Sequence, residues 1–253
     1  MENATSFGKQ ADIYAAARPT YPTALFDWIA QNSPAHNRVW DVGTGTGQAA
    51  RSLAHLFTHV HATDIDKYQI QQARSTEQTP DNITYKVAPA HQSALEDNSV
   101  DAITVALALH WFDVSKFWSE ISRIARPNAL FIAWAYHDLL TDEDITSVIL
   151  GPIRERIAPY WSEGNRLSWR GYPIEEVGMP FIPITTPHFS IRVSWTPQQI
   201  LKFVSSWSAH QRARLDGHED SLKKIEDEAL SRLDHRPRRI IMPLKTLAGR
   251  VLP

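Results

Sequence analysis

Val39-Trp40-Asp41-Val42-Gly43-Thr44-Gly45-Thr46-Gly47 decides the fold. An apolar run takes up an acidic residue near its end, and three alternate glycines follow. Glycine lets backbone amides come within van der Waals reach of a ligand, where any Cβ would collide. A helical pattern, Gln48 to Phe57, starts directly afterwards. Its positive N-terminal end therefore faces the same ligand. Strand, glycine turn and helix mark a nucleotide-like cofactor site at the carboxyl end of the first strand of an open α/β sheet.

Two cofactor classes fit the glycines. Gly45-Thr46-Gly47-Gln48-Ala49-Ala50 also satisfies the dinucleotide pattern, with alanine in the last place. Asp41 favours S-adenosylmethionine over NAD. A carboxylate there can take up donors of a bound amino acid moiety, whereas a pyrophosphate would gain little from it. Asp64 ends a second apolar run, Val60 to Thr63, and suits a grip on ribose hydroxyls in either class. A later apolar strand runs on through Ala106-Leu107-Ala108-Leu109 into His110-Trp111-Phe112-Asp113.

With these residues the chain resembles the class I S-adenosylmethionine-dependent methyltransferases. Within them it is similar to the group that includes trans-aconitate methyltransferase and related small-molecule methyltransferases. The resemblance runs nearly end to end. It begins at Tyr14-Ala15-Ala16-Ala17-Arg18-Pro19-Thr20-Tyr21-Pro22 and takes in Asp64-Ile65-Asp66, Gln69, Ala73, Ala90-His91 and the His110-Trp111-Phe112 triplet. Arg126-Pro127, Trp134-Ala135-Tyr136, Ser205-Ser206-Trp207-Ser208-Ala209, Met242-Pro243-Leu244 and Gly249-Arg250-Val251 continue it. The chain departs at Pro127-Asn128-Ala129, where the family carries Pro-Gly-Gly, and at His91, where relatives carry Glu.

The resemblance implies a doubly wound, mostly parallel seven-stranded sheet with a mainly helical cap over the carboxyl ends of its strands. It implies S-adenosylmethionine as cofactor, S-adenosylhomocysteine as product, no metal, and a small-molecule methyl acceptor methylated on an oxygen such as a carboxylate. The cofactor-binding residues it implies are Asp41, Gly43, Thr44, Gly45, Gly47, Asp64, Ile65, Gln69, Ala90, His91 and Ala106. On the acceptor side it implies Tyr21, Trp111, Trp134 and Trp207, with Tyr14, Arg18 and His110 as candidates for the chemistry. Tyr14, Arg18 and Tyr21 belong to an entry segment expected to act as a lid that orders with cofactor. Arg18 can clamp a carboxylate through a bidentate pair, of the acceptor or of the cofactor's methionine end.

Composition agrees with an ordinary enzyme. The chain has 253 residues, 43% hydrophobic and 21% charged, which suffices for a sizeable core. Its 26 Lys+Arg against 28 Asp+Glu give a formal charge of −2 and no electrostatic footprint for nucleic acid. Arg236-Pro237-Arg238-Arg239 is the only basic cluster and reads as a solvated strand entry. The absence of cysteine excludes disulfides and thiol catalysis. No apolar signal region and no membrane-spanning run occurs, so a cytoplasmic location is the default expectation. Histidine spacing offers no metal site beyond His59-x-His61 at a strand start, a poor candidate.

The chain reads as one methyltransferase domain, residues 1–253. Residues 1–34 are N-terminal lid helices, 35–136 the cofactor-binding core, 137–187 an inserted cap, and 188–253 the strands and helices that complete the sheet. Strands are expected at Arg38 to Val42, Val60 to Asp64, Ile83 to Ala88, Val100 to Ala108 and Leu130 to Trp134. His188 to Trp195 reads as a sixth strand and Arg239 to Pro243 as the closing antiparallel one. Helices are expected at Lys67 to Ser75, Asp113 to Ala125, Gln198 to Arg212 and Ser221 to Leu233. Five of the nine tryptophans (Trp134, Trp161, Trp169, Trp195 and Trp207) fall in the C-terminal half and predict an enclosed, largely apolar acceptor chamber there.

Two other classes compete. A nicotinamide-dependent oxidoreductase shares the glycine turn. A non-catalytic cofactor-binding protein acting through partners shares the glycines and Asp64. If the acceptor is a carboxylate, it needs no general base. If it is a hydroxyl or phenol, His110 is the histidine to supply one.

Overall fold

The computed structural model describes residues 19–76 and 79–252. Five strands alternate with helices in its first half. They are β1 (Arg38–Val42), β2 (His59–Asp64), β3 (Ile83–Val87), β4 (Val100–Ala106) and β5 (Ala125–Ala135). Two later strands join the same sheet, β6 (Ile182–Pro183) and β9 (Lys245–Arg250), while β7 (Ser190–Trp195) and β8 (Arg238–Pro243) pair apart from it. The large sheet has the order β3-β2-β1-β4-β5-β9-β6. Strands β1 to β5 pair in parallel, and β9 runs antiparallel to both β5 and β6. Strand order reverses between β1 and β4, so the crevice above their carboxyl ends is where a ligand is expected.

Helices cover both faces. On one side lie α1 (Thr23–Gln31), α2 (Gln48–Leu53) and α3 (Lys67–Ser75), burying Leu25, Phe26, Ile29, Ala50, Leu53, Ile70 and Ala73. On the other, α4 (Val114–Ile124) buries Phe117, Trp118, Ile121 and Ile124. β4 is buried along nearly its whole length, as its unbroken apolar run requires between two helical layers.

The cap is helical, as expected. Residues 143–157 run as one helical stretch ending in α5 (Gly151–Ile157), followed by α6 (Glu163–Trp169) and α7 (Ile174–Val177). Ser162 and Asn165 close a reciprocal capping box at the start of α6. After β7 come α8 (Pro197–Ser205), α9 (Ser208–Ala213) and α10 (Glu219–Arg232). Thr196 caps α8 with Pro197 at its first position, the Thr-Pro start legible in the sequence. The single helix expected over Gln198 to Arg212 breaks at Ser206-Trp207.

The closing strand differs from the expectation. Arg239 to Pro243 does not complete the large sheet; it lies in β8, paired antiparallel with β7 in a separate two-stranded sheet. The antiparallel closing strand is β9. Its Leu247, Ala248 and Gly249 are buried in succession, whereas Ile240 and Met242 of β8 alternate with less buried neighbours. Alternation marks a strand with one face on the core. The segment that looked more strand-like was therefore the half-covered one. Gly249 also has to be small: a Cβ there would stand 3.0 Å from both Met179 Cε and Phe181 Cβ.

The turn Pro127-Asn128-Ala129 keeps the local geometry without glycine. Asn128 takes φ +65 and donates its N–H to the Val251 carbonyl. Asparagine tolerates this left-handed region better than most side chains.

Candidate functional site

The carboxyl ends of β1, β2 and β4 open into a cavity of about 490 Å³, a volume typical of a small-ligand site. Its wall comes from the β1 turn (Gly43 to Thr46), the β2 end (Asp64 to Asp66), the loop after β3 (Ala88 to His91) and the segments 106–108 and 111–113 beyond β4. Tyr21, Gln48, Ala49, Gln69 and Lys116 complete it among the described residues. Of the expected cofactor-binding residues, Gly43, Thr44, Gly45, Asp64, Ile65, Gln69, Ala90, His91 and Ala106 all meet here.

Asp64 does two jobs in this wall. One carboxylate oxygen accepts the Gly45 N–H at 2.9 Å and the other the Asp66 N–H at 2.9 Å. It thereby fixes the glycine turn and the entry to α3 together. Burial pushes its carboxyl upward from the ordinary range, while those backbone donors pull it back. Asp66 caps α3 by accepting the Tyr68 N–H at 2.8 Å. Its other oxygen and Gln69 Oε1 are buried with no hydrogen-bond partner among the described residues. Three neighbouring acceptors and an exposed Ile65 suit a ligand that offers donors beside an apolar plate. The ribose hydroxyls and adenine of S-adenosylmethionine do so, and the residues present fit that group.

Two expected cofactor ligands act from beneath the wall. Asp41 is completely buried and does not line the cavity. Its oxygens accept the Thr44 hydroxyl at 2.5 Å and the Thr104 hydroxyl at 2.7 Å. Burial raises its carboxyl to about 6, against the pull of those two hydroxyls. It tethers the turn to β4. Gly47 starts α2 at φ +79, and a Cβ there would collide with the Tyr85 ring. Gly43 is also needed for protein packing, since its Cβ would fall 2.6 Å from the Ala108 Cβ. Only Gly45 leaves open space above it, with Gln69 Oε1 the nearest atom at 3.8 Å. The glycines were expected to admit a ligand; two of them admit the protein's own side chains.

A second, smaller cavity of about 80 Å³ adjoins the first. Leu107 and Trp111 belong to both walls. Leu107 takes φ +56, rare for a branched side chain, and donates its N–H to the Trp134 carbonyl. Most of this chamber is aromatic: Tyr136, Trp161, Trp169, Phe203 and Trp207 stand with Trp111 around His110 and His137. His137 stacks on Trp169 at 3.8 Å between ring centroids, and Trp161 meets Trp169 edge-on at 4.8 Å. His110 Nδ1 lies 3.1 Å from the Tyr172 hydroxyl. Burial lowers the pKa of His110 to about 4. His137 also falls to about 4, through burial first and then the positive charge of Arg154.

The acceptor-side expectations divide. His110, Trp111 and Trp207 line the chamber. Trp134 does not; it is fully buried in β5, with the Tyr21 ring edge-on at 5.4 Å and Phe26 at 6.3 Å. Tyr21 lines the larger cavity rather than the chamber. Tyr14 and Arg18 lie outside the described residues. The sequence missed His137, although its place just past the carboxyl end of β5 is where a ligand-facing residue is expected. Among the described residues no group of three or more His, Cys, Asp or Glu is placed to hold a metal ion, and no helix is long and apolar enough to cross a membrane.

A seven-stranded, mostly parallel sheet closed by an antiparallel strand, with its cavity over a glycine turn and a strand-end aspartate, defines a class I S-adenosylmethionine-dependent methyltransferase. Residues 40–133 match the family described as a methyltransferase domain. An uncharacterized methyltransferase of Mycobacterium tuberculosis is 31% identical over 209 residues, 80% of this chain and 76% of its own. A Dictyostelium discoideum protein assigned as a methyltransferase is 29% identical, covering 88% of this chain and 84% of its own. A solved structure from Anaeromyxobacter dehalogenans, assigned as a type II methyltransferase, is 34% identical with a TM-score of 0.82, covering 93% of this chain and 99% of that one. The chain belongs to the methyltransferase family and is an enzyme of it, which sets aside the nicotinamide and non-catalytic alternatives.

Proposed function

We propose that the enzyme methylates a carboxylate oxygen of a small organic acid. The observation that carries this is the state of the chamber histidines. His110 and His137 are both held near pKa 4, so both are neutral and weakly basic at pH 7. A phenol or alcohol would need a stronger base than either. A carboxylate is already ionised, and it gains a methyl group without losing a proton. S-adenosylmethionine supplies the methyl on a sulfonium, which is already electrophilic. The residues' task is then to align and to exclude water. Leu107 and Trp111, common to both walls, stand where the acceptor would approach the donor. The aromatic walls remove solvent, and neutral His110, oriented through Tyr172, offers a hydrogen bond to the acceptor. The size and lining of the chamber support a small molecule over a polymer, in keeping with the likeness to the trans-aconitate group. Arg18 and Tyr14 are proposed to close the site from the entry segment.

The test is a screen of small carboxylic acids, phenols and amines with methyl-labelled donor. A carboxylate product is a methyl ester, so mild alkali should release the label as volatile methanol. Label that survives alkali, as an ether or N-methyl product, would overturn the oxygen-of-carboxylate reading.

A further inference from the structure

Among the described residues no acidic side chain lines the aromatic chamber, yet two arginines stand against its walls. Arg212 on α9 donates from Nη2 to the Ser208 hydroxyl at 3.0 Å and to Asn165 Oδ1 at 3.4 Å, and from Nε to the Ser208 carbonyl at 3.2 Å. Ser208 and Asn165 are both chamber residues. Arg154 on α5 holds its guanidinium carbon 5.9 Å from the ring centroid of Trp207, a third wall residue. Its Nε and Nη2 are buried with no hydrogen-bond partner among the described residues.

Several other arginines find acceptors: Arg51, Arg74 and Arg250 donate to backbone carbonyls. Arg123, Arg126, Arg170, Arg214 and Arg238 each meet a carboxylate. Arg154 and Arg212 meet none within ion-pair distance among the described residues. Asp138, exposed to solvent, acts on Arg154 only from a distance. Burial works against both cations, lowering the pKa of each. A partly buried cation with unfilled donors is costly unless an anion completes it. The larger cavity does not explain the pair, because neither Arg154 nor Arg212 lines it.

We propose that Arg212 and Arg154 are the specificity-determining residues of the acceptor chamber, together selecting a carboxylate-bearing molecule. This rests on the methyltransferase reading and deepens it. Arg212 can trade its bonds to Ser208 and Asn165 for a planar, charge-assisted pair with a carboxylate entering between them. Arg154 supplies a second positive charge across Trp207. The cluster also contains His110 and His137, which stay uncharged beside it at neutral pH.

Trp161, Trp169 and Trp207 make the chamber its own reporter, and binding can be read without turnover. The probes are benzoate, benzamide and phenyl phosphate, titrated by tryptophan fluorescence into the protein saturated with S-adenosylhomocysteine. Benzoate should quench saturably and bind at least roughly ten-fold tighter than its neutral isostere, as expected for one charge-assisted hydrogen bond. Arg212→Gln and Arg154→Met should each shrink that preference, and Arg212→Lys should restore part of it. S-adenosylhomocysteine affinity, by calorimetry, should stay unchanged in all three variants. That arm shows that each variant is folded and that the arginines do not serve the cofactor's own carboxylate. Absence of benzoate quenching, equal binding of acid and amide, or a preference that survives both Gln and Met variants would overturn the proposal. Tighter binding of phenyl phosphate than benzoate would overturn the carboxylate assignment. A protein that binds no S-adenosylhomocysteine would instead fail the methyltransferase reading itself.

Discussion

The larger cavity, proposed for the methyl donor, and the aromatic chamber, proposed for the acceptor, share Leu107 and Trp111, yet they are built by opposite means. The donor side is framed by turns and loops at the carboxyl ends of four adjacent parallel strands, β3, β2, β1 and β4. Asp64 fixes two amides and Asp41 fixes two threonines. Any parallel sheet with this order brings those positions together. The acceptor side is made of large side chains from segments far apart in sequence, around residues 107–111, 136–139, 161–169 and 203–208. Nothing local relates them. A site held by topology tolerates few substitutions in its frame; a site held by packed rings can change its contents while the fold stays put.

The sharpest way to break this contrast is Gly47→Val. The side chain would meet Tyr85 and be forced to φ +79. Strain and overpacking together should cost about 4 kcal/mol of stability. S-adenosylhomocysteine binding should fall with it, read by calorimetry and denaturant unfolding. A variant of native stability would show that the turn is soft and that topology does not fix the donor side.

Asp41→Asn probes the buried tether. The folded carboxyl, at about 6, lies above the ordinary 3.8. Its contribution to stability is therefore complete below about pH 4 and is lost as pH rises through 6. At pH 7.5 charging this buried group costs on the order of 3 kcal/mol. The asparagine carries no such cost. The stability difference between variant and native protein should move in the variant's favour between pH 4 and 7.5. A pH-independent difference would mean that Asp41 titrates normally.

Asp64→Ala removes a carboxylate that holds the frame and is proposed to hold the ligand as well. Two backbone amides lose their acceptor. Apo stability should fall by about 2 kcal/mol, and S-adenosylhomocysteine binding by about 1.5–3 kcal/mol. Loss of affinity with full apo stability would separate the ligand role from the frame role.

The smallest effect belongs to the acceptor side. With His110 near pKa 4, methyl transfer should be flat between pH 6 and 8 and decline only on approach to pH 4. His110→Gln should lower the rate by roughly ten-fold, the loss of one orienting contact worth about 1.4 kcal/mol. A profile rising through pH 6.5 would make His110 a true base and the chamber a hydroxyl site.

How much was legible follows from the same contrast. β1 to β5 announced themselves by apolar runs and by the turn residues between them. Asp64 was found because it closes such a run. Asp41 and Gly47 were singled out for contact with cofactor because sequence shows only that a position is special. The structure shows what surrounds it: Thr44 and Thr104 in one case, Tyr85 in the other. The tryptophans were visible as a surplus. Trp161, Trp169 and Trp207 reached the chamber, while Trp134 packs in the sheet and Trp195 packs on Phe203. The closing strand was misplaced because Leu247-Ala248-Gly249 lacks the β-branched and aromatic residues that advertise a strand.

Leu107 carries a consequence for anyone who reshapes this enzyme. Its left-handed backbone costs on the order of 1–2 kcal/mol relative to a relaxed residue. Glycine at 107 would relieve that strain, which offsets part of the cost of the packing lost with the side chain. Selection for heat resistance would thus pay little attention to the loss of a side chain common to both cavity walls. Directed evolution toward ruggedness should therefore be paired with a counter-screen for hydrolytic waste of the methyl donor.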